Sequence, residues 1–198
     1  GGWSARQMGV ASLWPAACTS LGEKREPSGT SRVWGKVVDV FGFGEGEGVL
    51  VLLGGGPTEV QLRRQVAEGG LEQRVRFLPR VPFQKLHEFT CSADVGLCLI
   101  KPSGASFEMS LPNKLFEYFM AGLPVLVSSA PEIRRIVEET AGGEVVDVTN
   151  PPAVAAALSR LLCDSSLRHS YGEAALAAAR WYNWEREAPT LCDLYRAL

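Results

Sequence analysis

The chain has 198 residues, with 20 Lys and Arg against 22 Asp and Glu and a formal net charge of -2. So even a balance, with no arginine-rich stripe, excludes nucleic-acid binding driven by charge. Hydrophobic residues at 46% and charged residues at 21% exclude a disordered or fibrous chain and fit one generous globular domain or two small ones.

Along the chain, Ala11 to Leu21 reads as a helix with Leu13, Ala16, Ala17 and Leu21 on one face. Residues 22–48 break the pattern; they are rich in Gly, Ser, Glu and Lys, with a weak strand in RVWGKVVDVFGFG and a flexible GEGEG loop. An alternation follows. VLVLL (49–53), VRFLP (75–79), VGLCLI (95–100), VLVS (125–128) and GEVVDV (143–148) read as strands. Helices are predicted between them at about 59–68, 82–91, 113–121 and 131–139. Two alanine-rich helices, about 152–162 and 166–180, and the segment WYNWEREAPTLCDLYRAL close the chain. Short β-branched runs separated by helices form βαβ units, so the expected fold class is α/β, a Rossmann-like parallel sheet with helices on both faces. We read residues 1–198 as one such domain, with an atypical glycine-rich loop at about 22–48 and closing helices at about 152–198.

Five cysteines (Cys18, Cys91, Cys98, Cys163, Cys192) are odd in number, widely spaced and without a C-x-x-C pair. They favour a reducing compartment and small buried side chains over disulfides or a zinc site. His87 and His169 stand far apart in polar helical contexts, as surface residues do. No apolar run has the length of a membrane span and no signal peptide opens the chain, so the expected location is cytoplasmic.

The segment LPNKLFEYFMAGLPVLVS (111–128) is the most informative. Apolar residues around the whole circumference mark a buried helix, which Gly122 ends and Pro124 prevents from resuming. Lys114 in the first turn has the wrong sign for the positive amino end of a helix. It fits if an anion sits there, held by backbone N–H groups and the lysine together. The alternative is a lysine that snorkels to water beside a partly exposed Glu117. In such folds ligands bind outside the carboxyl ends of the strands. There the sequence places Gly54, Gly55 and Gly56, with Thr58 to cap the next helix; Arg80 and Val81, as one wall of a pocket; and Lys101 in a mildly basic loop. The glycines fall short of a G-x-G-x-x-G pattern, and turn geometry is their plainer role. No G-x-S-x-G, H-E-x-x-H, P-loop or D-x-D occurs. Glu138 and Glu139 fall on a solvated helix face. Any chemistry therefore rests on positioning and electrostatics.

The run from VLVLLGGGPTEV through SADVGLCLI, followed by SLPNKLFEYFMAGLPVLVS, resembles glycosyltransferase family 4, and LPNKLFEY is typical of one branch of it. The likeness covers roughly residues 49–198 and is to the carboxyl-terminal, donor-binding domain of these GT-B nucleotide-sugar transferases. It implies a retaining, metal-independent transfer from a UDP- or GDP-sugar to a glycan, lipid or small-molecule acceptor, in which donor phosphate helps deprotonate the acceptor. It also implies site roles. Asn113, Lys114 and Leu115 would cradle the diphosphate with their backbone, and Glu117 would hold the ribose hydroxyls. Arg80 and Val81 would lie beside the base, with Lys101 on the rim and Gly2 near the phosphates.

Three departures from the family pattern stand out. Many members carry a glutamate where this chain has Met109, with Glu108 one residue early. Many have an arginine and a lysine where Trp3 and Met8 stand, although Arg6 is close by. Residues 22–48 are also longer than the usual link. The opening GGWSARQMGV resembles the loop that follows the domain's first strand, so one strand of the sheet is expected to be missing. The implied partner is an amino-terminal acceptor domain, through which the protein would meet the inner face of a membrane. The reading from another class is a noncatalytic nucleotide-binding or interaction module, favoured by Met109, Trp3 and Met8.

Overall fold

The computed structural model describes residues 10–12 (backbone only), 48–101, 104, 109 and 111–197. Six parallel strands form one sheet: β1 (Val10–Ser12), β2 (Val49–Leu53), β3 (Val75–Leu78), β4 (Val95–Cys98), β5 (Val125–Ser128) and β6 (Gly143–Val146). Their order is β3-β2-β1-β4-β5-β6. The described helices are α1 (Glu59–Glu68), α2 (Phe83–Cys91), α3 (Asn113–Met120), α4 (Pro131–Thr140), α5 (Pro151–Cys163), α6 (Ser165–Ala179) and α7 (Trp184–Arg196).

Period-two alternation sorts the strand residues between two cores. Leu97 and Leu126 face one side, with Val66 of α1 and Leu158 and Leu161 of α5. Cys98, Val125 and Val127 face the other, with Leu115 and Phe119 of α3, Ile133 and Ile136 of α4, and Ala175 of α6. Both faces are covered, which is why these strands are continuous apolar runs.

Several expectations need correction. Ala11 and Ser12 are strand, not helix, because Ala11 pairs with Leu50 on one side and Val95 on the other. Two ladders at a central position outweigh a modest helix preference. Val10 belongs to the same strand and not to a loop, and β1 fills the place where a strand was expected to be missing. Residues 13–21 of the predicted helix, the weak strand within 22–47 and Cys18 lie outside the described residues. β6 stops at Val146 because Asp147 turns the chain, its Oδ1 accepting from the Thr149 N–H at 2.8 Å and hydroxyl at 2.7 Å. Thr58 stands before α1 but does not cap it. Its backbone is already helical (φ -90°, ψ -2°), whereas a capping side chain needs an extended residue. Of the described cysteines only Cys98 is buried; Cys91, Cys163 and Cys192 lie on outer helix faces. His87 and His169 are exposed, and Glu138 and Glu139 pair with Arg134 and Arg135 on the solvent side of α4.

Candidate functional site

Because every strand is parallel, all carboxyl ends share one edge, and the strand order reverses between β1 and β4, where a crevice opens. α3 is set beside that crevice by close packing. A Cβ on Gly96 of β4 would stand 2.4 Å from the Tyr118 ring, so only glycine admits the ring across the strand, where its hydroxyl donates to the Leu97 carbonyl at 3.3 Å. At the far end Gly122 (φ +67°) takes the left-handed turn. Its N–H reaches the Phe119 carbonyl and that of Leu123 reaches Tyr118, a Schellman closure. The helix is buried on one side only: Leu115, Tyr118 and Phe119 are inside, whereas Met120 is 54% exposed. The all-round burial expected from the sequence is therefore corrected, because Met120 faces away from both sheet and α6.

The amino end of α3 lies at the crevice. Pro112 precedes it in an extended conformation with no side-chain cap, and no acidic residue occupies the first turn. The amides of Asn113 and Lys114 come before the helix's first i→i−4 bond, whereas Leu115 N–H already donates to the Pro112 carbonyl at 3.1 Å. The Leu115 side chain is wholly buried, so it anchors the turn and does not face a ligand. Lys114 is partly buried, and its charge is felt by two groups. Burial pushes the Glu117 carboxyl above its ordinary range while Lys114 pulls it back. Burial likewise raises the Cys98 thiol against the same lysine. Lys101, partly buried, leaves β4 on this side.

A second cluster lies at the ends of β2 and β3. The exposed Arg80 guanidinium donates to the Gly55 carbonyl at 3.1 Å, tying one strand exit to the next, and Val81 beside it is partly buried. Of the three glycines only Gly54 (φ +124°) has a backbone that demands glycine. The hollow beneath them, lined by Leu52, Leu62, Phe77 and the glycine turn, holds about 20 Å³, the room of one water.

The predicted residues thus fall into two groups, Lys101, Asn113, Lys114, Leu115 and Glu117 at one end and Arg80 and Val81 at the other. β3 and β4 are three strand spacings apart, roughly 14 Å, so the site is elongated. Gly2, Trp3, Arg6, Met8 and Glu108 lie outside the described residues. Sequence reasoning missed Ser128, a fully buried polar side chain whose only signal is a serine closing the apolar run VLVS. Among the described residues no three His, Cys, Asp or Glu gather as metal ligands, and no helix is long and apolar enough to cross a membrane.

A doubly wound sheet in this order, with a lysine-bearing helix amino end at its switch point, defines a Rossmann-like domain. Residues 43–164 match the family described as glycosyl transferases group 1, and the chain belongs to that family. It is 33% identical over 150 residues to a phosphatidyl-myo-inositol mannosyltransferase of Mycobacterium leprae, covering 76% of this chain and 38% of that protein. The chain therefore spans well under half the length of that relative. Among solved structures, Anabaena HepE in complex with UDP-glucose superposes with a TM-score of 0.76 at 15% identity, over 98% of this chain and 50% of that one. The C-terminal domain of a group 1 glycosyl transferase (LpcC) from Francisella tularensis gives 0.65 at 15% identity, over 88% of this chain and 85% of that domain.

Proposed function

We propose that this chain is the donor-binding domain of a retaining glycosyltransferase that uses a UDP- or GDP-sugar. The observation that carries the reading is α3, whose amino end opens at the switch point with Lys114 and Glu117 in its first two turns. Asn113 and Lys114 offer backbone N–H groups and a positive charge to the diphosphate. Lys101 supplies a second cation from the β4 exit. Glu117, one turn along, accepts from the ribose hydroxyls, and the base lies against Arg80 and Val81 at the far cluster. The elongated site suits a nucleoside diphosphate, which reaches from one cluster to the other. Helix N–H groups and lysines balance the diphosphate charge, so binding is independent of divalent metal. No side chain acts as nucleophile. The donor phosphate takes the acceptor's proton as the sugar bond to that phosphate breaks, and the protein contributes positioning and charge stabilisation.

Transfer also needs an acceptor wall. The relatives' extra length supports a second domain, and α7 supports docking against one: Trp184, Leu194 and Tyr195 are 65%, 61% and 72% exposed. A glycan or lipid acceptor would be held there, and any contact with a membrane would be made through that domain. One observation favours a noncatalytic nucleotide-binding module instead: Met109, 81% exposed, stands where many members grip the sugar with a glutamate.

Calorimetric titration with UDP and GDP tests the site. Glu117→Ala is expected to weaken binding by about 1–3 kcal/mol, the scale of charged hydrogen bonds, at a temperature where both proteins are folded. Chelator is expected to leave the parent affinity as it was. Unaltered affinity in Glu117→Ala, or binding that chelator abolishes and magnesium restores, would overturn the assignment.

A further inference from the structure

We propose that Ser128, at the carboxyl end of β5, is a positioning residue that holds Lys101 at the phosphate end of the site. Among the described residues two polar side chains are buried in the core, Thr90 and Ser128. The Thr90 hydroxyl is used within its own helix, donating to the Leu86 carbonyl at 2.9 Å. Ser128 reaches across to the neighbouring strand. Its Oγ accepts from the Ile100 N–H at 3.2 Å and lies 3.5 Å from the Cys98 carbonyl, to which it donates.

The ladder explains what that bond does. Gly96 N–H donates to the Pro124 carbonyl at 2.9 Å, and the register runs from Gly96 against Val125 to Cys98 against Val127. Carried on two residues at a time, the Ile100 N–H would meet the main-chain carbonyl of Ser128. It takes the hydroxyl instead. A side chain thus replaces the ladder where β4 ends, and Ile100 is held to β5 as the chain turns toward the crevice. Lys101 follows directly. Its four-carbon stem is flexible, so the place of its ammonium depends on where the backbone releases it, and the Ile100 amide sets that point. Without the hydroxyl a partly buried N–H loses its acceptor, and the backbone shifts to find another, carrying Lys101 with it.

The proposal rests on the donor-site reading, and the test separates the two. UDP and GDP affinities are measured for the parent chain, Lys101→Ala, Ser128→Thr, Ser128→Val and the two double variants. Threonine keeps the acceptor and valine, of the same shape, lacks it, so crowding by the added methyl is common to both. Ser128→Ala against parent repeats the comparison should either bulkier side chain prevent folding. Thermal unfolding sets a temperature at which every variant is folded; a merely structural role would lower the midpoint and leave the affinity of folded molecules alone. Lys101→Ala is expected to weaken binding about tenfold, and valine to bind about fivefold more weakly than threonine. In the Lys101→Ala background that valine–threonine difference is expected to shrink below about twofold. Equal affinities for valine and threonine while Lys101→Ala binds weakly would overturn the proposal alone, as would a difference that persists without the lysine. An affinity indifferent to Lys101→Ala in a chain that binds UDP or GDP likewise overturns the proposal alone, whereas a parent chain that binds neither nucleotide overturns the donor-site reading and the proposal with it.

Discussion

Helices α3 and α7 are both amphipathic and aromatic, yet the domain treats them in opposite ways. α3, only eight residues long, sinks Leu115, Tyr118 and Phe119 into the core. α7, thirteen residues long, buries nothing. Along α7 the residues Trp184, Ala188, Leu191 and Tyr195 recur at the spacing of one helical face, and this domain leaves that face uncovered. α3 is anchored in the core by these three side chains, with Lys114 and Glu117 in its first two turns. α7 carries its apolar stripe outward. Under the proposed function the first helix serves ligand binding and the second assembly.

The largest expected effect tests the assembly half of that contrast. Joined to a matching acceptor domain, this chain is expected to transfer sugar faster than alone by on the order of 10³-fold or more, because alignment of acceptor and anomeric carbon needs both walls of a cleft. UDP or GDP affinity changes little by comparison. Equal turnover with and without the second domain would place the whole active site within these residues and leave α7 without its assigned role.

Mutational stability sharpens the contrast next. Phe119 is fully buried, and Phe119→Ala is expected to cost about 3–5 kcal/mol in urea unfolding, by lost burial and the cavity left behind. Leu194→Ala, exposed on α7 beside that stripe, is expected to fall within about 0.5 kcal/mol of the parent in the isolated chain. In the joined protein Leu194→Ala becomes destabilising. A large cost in the isolated chain would mean that α7 packs within this domain.

How far the sequence foretold these roles depended on whether a signal was local. β5 was legible residue for residue, since VLVS lies between Pro124 and Pro131 and every position is buried. α3 was legible because Asn113 follows a proline and Gly122 closes the helix. The strand at Val10–Ser12 was not, because three residues of VAS carry no periodicity and only their neighbours β2 and β4 make them a strand. The true helix caps were also passed over. Asn150, Asp164 and Asn183 each accept from an amide three residues on, a common signature that the alanine-rich runs after the first two overshadowed. Within the candidate site the charged residues announced themselves by standing in apolar company. Ser128 did not, because its role depends on a strand end 28 residues away.

The smallest expected effect concerns Glu117 and pH. Its carboxyl is raised above the ordinary value of 4.5, first by burial, with Lys114 opposing. The folded chain therefore holds this proton at a pH where the unfolded chain has released it. Protons bound in excess by the folded state make stability fall as pH rises. The contribution is present in full below the unfolded pKa and is lost as pH climbs from there through the folded value. Glu117→Gln cannot titrate, so the difference in unfolding free energy between it and the parent should drift against the parent over that interval and then level. Lys114→Ala should steepen the drift, because removing the opposing charge raises the carboxyl further. Urea titrations at half-unit steps of pH would measure all of these. A Glu117→Gln profile parallel to the parent's would mean that the carboxyl is as well solvated in the folded chain as in the unfolded one. The amino-terminal turns of α3 would then be no more enclosed than those of α7, and the distinction between the two helices would rest on the core alone.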